Sequence, residues 1–334
     1  MKVFLLLLVV GLAAAAPTSK EDEDIIIDED FYPSEWVKYT SEHDIVSLLV
    51  PINSLNFDEN ESSENSKEED LDIILFFTEA DIIDGKKDYK GVSVIKKNKV
   101  TKLLENGRDM AASGDDSKLV FIGASDGIYV YKDENTAVEK YGSLNDDIYG
   151  IAKEKDGDIM YILTANKEVY KVSDNGNKKE KLDGVKAEQM VLDYSNNLYF
   201  SGSDKQVYVR TSEGIKKIEG LPASPKYIQL LKPAFVMDDM IPVVVDETSY
   251  LVYANGTVET GDITFKKPKY RPTAYSMEAA ILQYYAIDKK IYEYNMILIL
   301  MGTLLEEIKN FLDDKKNTIE EINSSRKASV RKYI

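Results

Sequence analysis

One short pattern returns six times between residues 91 and 295, and it limits the possible folds more than any other feature of the chain. It consists of an apolar residue, a tyrosine and another apolar residue, in a run bounded by Gly, Asn and Asp. The copies read GIYVYK at Gly127, EVYKVS at Glu168, QVYVRT at Gln206, SYLVYANG at Ser249 and KIYEYN at Lys290, with a weaker one, GVSVIKKN, at Gly91. With Ser93, Tyr129, Tyr170, Tyr208, Tyr250 and Tyr292 as markers, the spacings are 36, 41, 38, 42 and 42 residues. β-Branched and aromatic residues alternating between turn formers are strand signals, and each copy sits in a strand-turn-strand stretch. A period near 40 with four short strands per unit predicts an all-β fold, a β-propeller, and six copies predict six blades. Paired β-sandwiches also alternate, but they give no reason for whole units to recur at nearly constant spacing.

The apolar segment ahead of each marker is the expected innermost strand of its blade: residues 110–112, 148–152, 190–192, 227–231 and 275–281. The propeller is expected to span 71–295. After Asn295 the period changes from two to that of a helix. Met301, Leu304, Leu305, Ile308, Phe311 and Leu312 fall three and four residues apart with charged residues between them, so 296–334 reads as a helical tail with an amphipathic helix. That helix is expected to pack on the propeller or to serve self-association.

The chain opens MKVFLLLLVVGLAAAAPTSK: a basic residue, a short apolar run, then small residues. Residues 1–16 read as a signal peptide, because the apolar run is shorter than the roughly 20 residues that cross a bilayer. Secretion into an extracellular, haemolymph-like setting is the expectation. Residues 17–70 form an acidic N-terminal segment with two charged runs, EDEDIIIDED and DENESSENSKEED. The second, at 58–70, is nearly free of apolar residues and reads as a disordered loop.

Composition narrows the chemistry. A net charge of −17 argues against nucleic acid and anionic membrane surfaces as partners, since binding either relies on Lys and Arg. The absence of cysteine removes disulfides, thiol catalysis and Cys-ligated metal, and a single histidine, His43, removes most zinc and general-base designs. Gly123-Ala124-Ser125-Asp126-Gly127 matches G-x-S-x-G, but a nucleophile elbow leads into a helix and needs a later His. Here strand residues follow, so Asp126-Gly127 reads as a hairpin turn. Asp146, Asp147, Glu188 and Asp193 could supply oxygen ligands to a Ca²⁺-dependent lactonase or esterase on a propeller, which is the alternative reading, although no segment has the spacing of a calcium loop. A structural secreted interaction protein is a third. No cofactor, metal site or catalytic residue is expected. Asn60, Asn255 and Asn323 head N-x-S/T sequons and are candidate glycan acceptors in a secreted chain.

The residues Ile122-Gly123, Ser125 to Tyr129, Tyr131, Thr136, Tyr141-Gly142 and Asp147-Ile148 resemble those of the insect ommochrome-binding proteins, and the likeness extends less specifically over roughly 70–295. That resemblance implies a secreted, non-enzymatic carrier of a phenoxazinone pigment. Members of that family carry a pair of terminal cysteines, which this chain lacks. A flat aromatic ligand calls for a concave, mainly apolar pocket with a few placed polar groups. In a propeller the natural place is the channel, and Met110, Tyr149, Met190, Tyr227 and Tyr275 are the expected contacts for a small hydrophobic aromatic ligand.

Overall fold

The computed structural model describes residues 25–51 and 73–310, apart from Asp116, Lys118, 234–236, 279–281 and six positions beyond 296. The expected signal peptide at 1–16, the loop at 58–70, Asn60, Asn323 and the tail beyond 310 lie outside the described residues. Two short strands, β1 (Ile25–Ile27) and β2 (Val37–Thr40), precede the first blade. Six blades follow, each an antiparallel meander numbered from the inside outward. The first is β3 (Asp44–Leu49), β4 (Leu75–Ile83), β5 (Lys86–Lys96) and β6 (Lys99–Leu104). The second is β7 (Gly107–Ala112), β8 (Val120–Ala124), β9 (Gly127–Lys132) and β10 (Ala137–Lys140), and the third β11 (Ile148–Lys153), β12 (Met160–Thr164), β13 (Glu168–Ser173) and β14 (Lys178–Lys186). The fourth is β15 (Gln189–Leu192), β16 (Leu198–Ser201), β17 (Val207–Thr211) and β18 (Gly214–Lys217). The fifth is β19 (Ile228–Leu230), β20 (Met240–Val245), β21 (Thr248–Tyr253) and β22 (Val258–Phe265), and the sixth begins with β23 (Ala274–Glu278), β24 (Leu282–Ile287) and β25 (Lys290–Asn295).

The N-terminal segment completes the last two blades. β2 pairs antiparallel with β25, Val37 opposite Tyr292, and becomes the outer strand of the sixth blade. β1 adds to the fifth blade in parallel with β22. The ring therefore draws strands from 25–49 and is not confined to the expected span of 71–295, because the apolar runs within the acidic segment at 17–70 pair with the last two blades and begin the first. The seam is sealed by packing as well: Ile45, Leu48, Leu75 and Phe77 of the first blade share one buried cluster with Ala274, Leu282, Tyr284 and Ile291 of the sixth. Across that seam Thr273 Oγ1 donates to the Ile45 carbonyl at 2.6 Å, and the Val50 N–H donates to Ser276 Oγ at 2.9 Å.

Blade-on-blade packing explains the burial pattern. β8 and β12 are buried at every position, because a neighbouring blade covers each face of the sheet. Phe76, Phe77 and Phe121 are fully buried between blades, each contributing about 2–3 kcal/mol by removal from water. The outer strands lack that cover. β18 is exposed at all of its positions and β14 at most, and both carry lysines, whose charge discourages a second chain from pairing with the open edge.

The last blade holds an aromatic cluster. The Trp36 ring meets Tyr294 edge-on at 4.7 Å, Phe31 stacks on Tyr294 at 5.2 Å, and the Tyr294 hydroxyl donates to the Phe31 carbonyl. The chain then enters the C-terminal helix at Met296. Met296 is buried and Ile299 packs on the Tyr292–Tyr294 cluster, whereas Met301, Leu304, Leu305 and Ile308 are exposed. Among the described residues, only the first turn of this helix docks on the propeller.

Candidate functional site

The inner strands begin on one face of the ring, here the upper face, and end on the lower face. In each of them one position immediately precedes a buried apolar residue (Leu48, Met110, Ile151, Met190, Leu230 and Ala274). The residues at that position are Ser47, Asp109, Gly150, Gln189, Gln229 and Thr273, and five of them tie neighbouring blades together. Ser47 Oγ donates to Asp109 Oδ1 at 2.9 Å, and Asp109 Oδ2 accepts the Ile151 N–H at 3.0 Å. Gln189 spans two groups of the fifth blade, donating to the Ile228 carbonyl at 2.8 Å and accepting the Leu230 N–H at 3.1 Å. Gln229 donates to the Thr273 carbonyl at 3.0 Å, and Thr273 reaches Ile45 as described above. Only Gly150, between the third and fourth blades, has no side chain to offer. Apart from Ser47–Asp109, these bonds use inner-strand backbone groups, which would otherwise stand unpaired near the axis.

Lys232, just past β19, crosses the channel. Its ammonium meets Asp109 Oδ1 at 3.0 Å and donates to the Met110 carbonyl. The fifth and second blades face each other across the ring, so this pair partitions the channel. Above it lies the extended β4–β5 hairpin. Tyr89 on that hairpin contacts Tyr149 edge-on at 5.9 Å, and the Arg108 guanidinium lies 4.1 Å from the Tyr149 ring centre and pairs with Asp147. Lys87 is exposed, yet protein crowding its ammonium pushes its pKa down, with Asp109 opposing the shift.

Below the partition is a chamber of about 140 Å³ lined from all six blades. Its walls are small or aliphatic: Leu49, Val50, Ala111, Ala112, Ile151, Ala152, Val191, Leu192 and Pro233, with Met190 and Met277. Its polar groups are Lys153, Lys155, Lys232, Asp193, Tyr194 and Ser276. Asp193 is turned into its own loop. Its Oδ1 accepts the Ser195 and Asn197 N–H groups and its Oδ2 accepts Asn197 Nδ2 and the Tyr199 hydroxyl. Burial raises its pKa, and the hydrogen bonds oppose that shift. Lys153 is buried and donates to the Glu154 carbonyl at 2.7 Å; burial pulls its pKa down against several surrounding carboxylates. Lys155 is exposed, its ammonium 4.8 Å from the Tyr194 ring centre, and it forms no ion pair among the described residues. Gly114 lies against this rim: a Cβ there would sit 3.0 Å from Lys155 Cγ and 3.1 Å from the Tyr194 hydroxyl.

The five expected contact residues do not converge. Met190 lines the chamber. Tyr149 lies at the upper mouth, and Tyr227, at the upper end of β19, is covered by the Arg271 guanidinium at 3.8 Å and donates to Gln229 Oε1 at 2.5 Å. Met110 is buried between blades, its sulfur accepting from Thr78 Oγ1 at 3.9 Å, and Tyr275 packs with Met237 and Met277. Apart from Met190, and Asp193 in the calcium alternative, the residues that form the chamber do not stand out in the sequence, because a cavity between inner strands comes from small side chains that leave space.

The other features resolve locally. Ser125 sits in the turn between β8 and β9, so a strand, not a helix, follows it directly. Gly127 has φ of +126°, and a Cβ there would lie 2.1 Å from the Leu144 carbonyl oxygen. The carboxylates considered for calcium are dispersed: Asp146 pairs with Lys179, Asp147 with Arg108 and Glu188 with Lys167. Among the described residues, no three His, Cys, Asp or Glu side chains are grouped to hold a metal ion, and no helix is long and apolar enough to cross a membrane. Asn255 is exposed at the β21–β22 hairpin, its Oδ1 accepting from the Thr257 hydroxyl at 2.7 Å.

No protein-family description and no curated protein matches the sequence. Among solved structures, the extracellular domain of a B. thetaiotaomicron protein assigned as a one-component system aligns with a TM-score of 0.45 and 9% identity, covering 83% of this chain and 43% of that one. The present chain thus spans less than half the length of that structure.

Proposed function

We propose that this chain is a secreted, non-enzymatic binding protein that holds a small aromatic ligand in the lower chamber of its channel. The observation that carries this reading is the chamber itself: a mainly apolar space at the axis, built by all six blades, with two methionines in its wall and a few placed polar groups, Lys153, Lys155, Lys232 and Ser276 among them. Ligand sites have that character, and methionine adapts to a flat ring. The leader-like N-terminus supports secretion. The likeness of the 122–148 block to the ommochrome-binding proteins supports an aromatic cargo, and a three-ring pigment would seat one ring in the chamber with the remainder at the lower face.

The test is a titration of the purified chain with xanthommatin, followed by its visible absorption, for the wild type and for Ala112→Leu, which fills the chamber. Saturable binding weakened at least tenfold by Ala112→Leu, with an unchanged melting temperature, is the expected result. Binding of equal strength in both proteins would remove the chamber from consideration.

A further inference from the structure

Resting on that reading, we infer that what the chamber itself selects is a single aromatic ring bearing a carboxylate, the ring against Val50, Ala111 and Met277 and the carboxylate at Lys155. Two features lead there, one of size and one of charge. A cavity near 150 Å³ lined by aliphatic groups takes up one benzene ring, and the chamber is of that size. Drug-sized ligands usually need a pocket of about 300 Å³ or more. One ring fits inside, and anything larger extends out of the mouth.

Charge then selects among single-ring ligands. In a chain of net charge −17, the chamber is lined by three lysines and a single carboxylate. Asp193 is occupied by four donors from its own loop, Lys232 by Asp109, and Lys153 by backbone carbonyls. That leaves Lys155 as the cation at the rim with no ion pair among the described residues, poised over the Tyr194 ring. A carboxylate at the mouth would pair with this ammonium, and the ring behind it would lie alongside Tyr194 on its way to the apolar wall. A cationic ligand would meet three ammonium groups without an available carboxylate.

The experiment compares benzoate, benzamide and benzylamine, which share one ring and differ in charge, by ligand-observed NMR on the full chain. The expected order is benzoate over benzamide over benzylamine, with benzoate ahead of benzamide by about fivefold, the effect of one exposed ion pair. Lys155→Gln should bring benzoate down to the level of benzamide and leave benzamide unchanged. Lys178→Gln, which removes the same charge from an outer strand, should alter neither. Benzamide binding as tightly as benzoate, or benzoate unaffected by Lys155→Gln, overturns the acid preference while the chamber stands as a site. Failure of all three to bind overturns the chamber reading, and this inference with it.

Discussion

Asp109 and Lys232 belong to blades on opposite sides of the ring, and their side chains meet at the axis, 3.0 Å apart. The carboxylate also holds Ser47 of the first blade and the Ile151 N–H of the third. One acidic side chain thus bonds to three other blades. Replacing it should affect the whole ring, while replacing Lys232 removes only its bonds to Asp109 and to the Met110 carbonyl, both in the second blade.

Asp109→Ala should therefore cost about 2–4 kcal/mol of unfolding free energy, since it strands a partly buried ammonium and a backbone donor. Lys232→Met, which leaves Asp109 its two other partners, should cost about 1 kcal/mol. Urea denaturation of the two variants checks the order. Equal losses would mean that the pair, and not the wider set of bonds, is what Asp109 supplies.

Two glycines should respond in opposite ways to a methyl group. Gly142 has φ of +69°, and a Cβ there would lie 2.1 Å from the Gly176 carbonyl oxygen, backbone that cannot yield cheaply. Gly142→Ala should cost more than about 2 kcal/mol. At Gly150 the nearest atom to an added Cβ is Leu163 Cβ at 3.4 Å, and its φ lies in the ordinary range. Gly150→Ala should change stability by less than about 1 kcal/mol, because the lower backbone entropy of the unfolded chain offsets a mild contact. Thermal melts of both variants decide the matter.

Trp36 is the only tryptophan and lies between β2 and Tyr294, so its emission reports the closing of the sixth blade. In a denaturant series its red shift should coincide with the loss of far-UV circular dichroism, as a cooperative ring requires. Tyr294→Ala should lower stability by about 3–5 kcal/mol through the lost ring contacts. A red shift that precedes the loss of strand signal would mean that the blade opens ahead of the rest.

Asp193 gives a pH dependence of defined sign. Burial raises its pKa in the folded chain above its unfolded value, so the folded state takes up its proton more readily than the unfolded state does. Its contribution is fully present below the unfolded pKa and is lost as pH rises through the folded one. Glu29 and Glu168 act oppositely: hydrogen bonds from Tyr270 and from Lys181 hold their pKa values down, so their contribution is present above the unfolded value and lost as pH falls through the folded one. Asp193→Asn isolates the first effect. The melting temperature of the wild type should gain on that variant as pH is lowered from 7 toward 4, and a constant difference across that range would contradict the raised value.

The blades were legible because their signal is local. Ser93, Tyr129, Tyr170, Tyr208, Tyr250 and Tyr292 all fall on the third strand of their blades, the strand with the cleanest alternation between turn residues. The strand β2 was not legible, since four residues reading VKYT carry no information about a partner some 250 residues further on. Met110 shows a second limit. On an inner strand with apolar residues at successive positions, periodicity cannot tell the side facing a neighbouring blade from the side facing the axis. The chamber shows a third: stacking chemistry points to Tyr and Met, while the space at the axis is made by Ala111, Ala112 and Val50. The polar position at five of the six inner strands is visible as one hydrophilic residue ahead of an apolar one, too short a pattern to stand out alone.

The sixth blade joins residues 37–40 to strands some 250 residues later, and this sets an order of events during biosynthesis. Residues 37–40 leave the ribosome before any other strand of that blade and have no partner until 290–295 follow. The earlier blades can stack as they emerge, but the first keeps Ile45, Leu48 and Phe77 uncovered until Ala274, Leu282 and Tyr284 arrive. A nascent chain halted short of Asn295 is thus an open ring with a sticky flank, and the ring can close only after residues 290–295 have emerged.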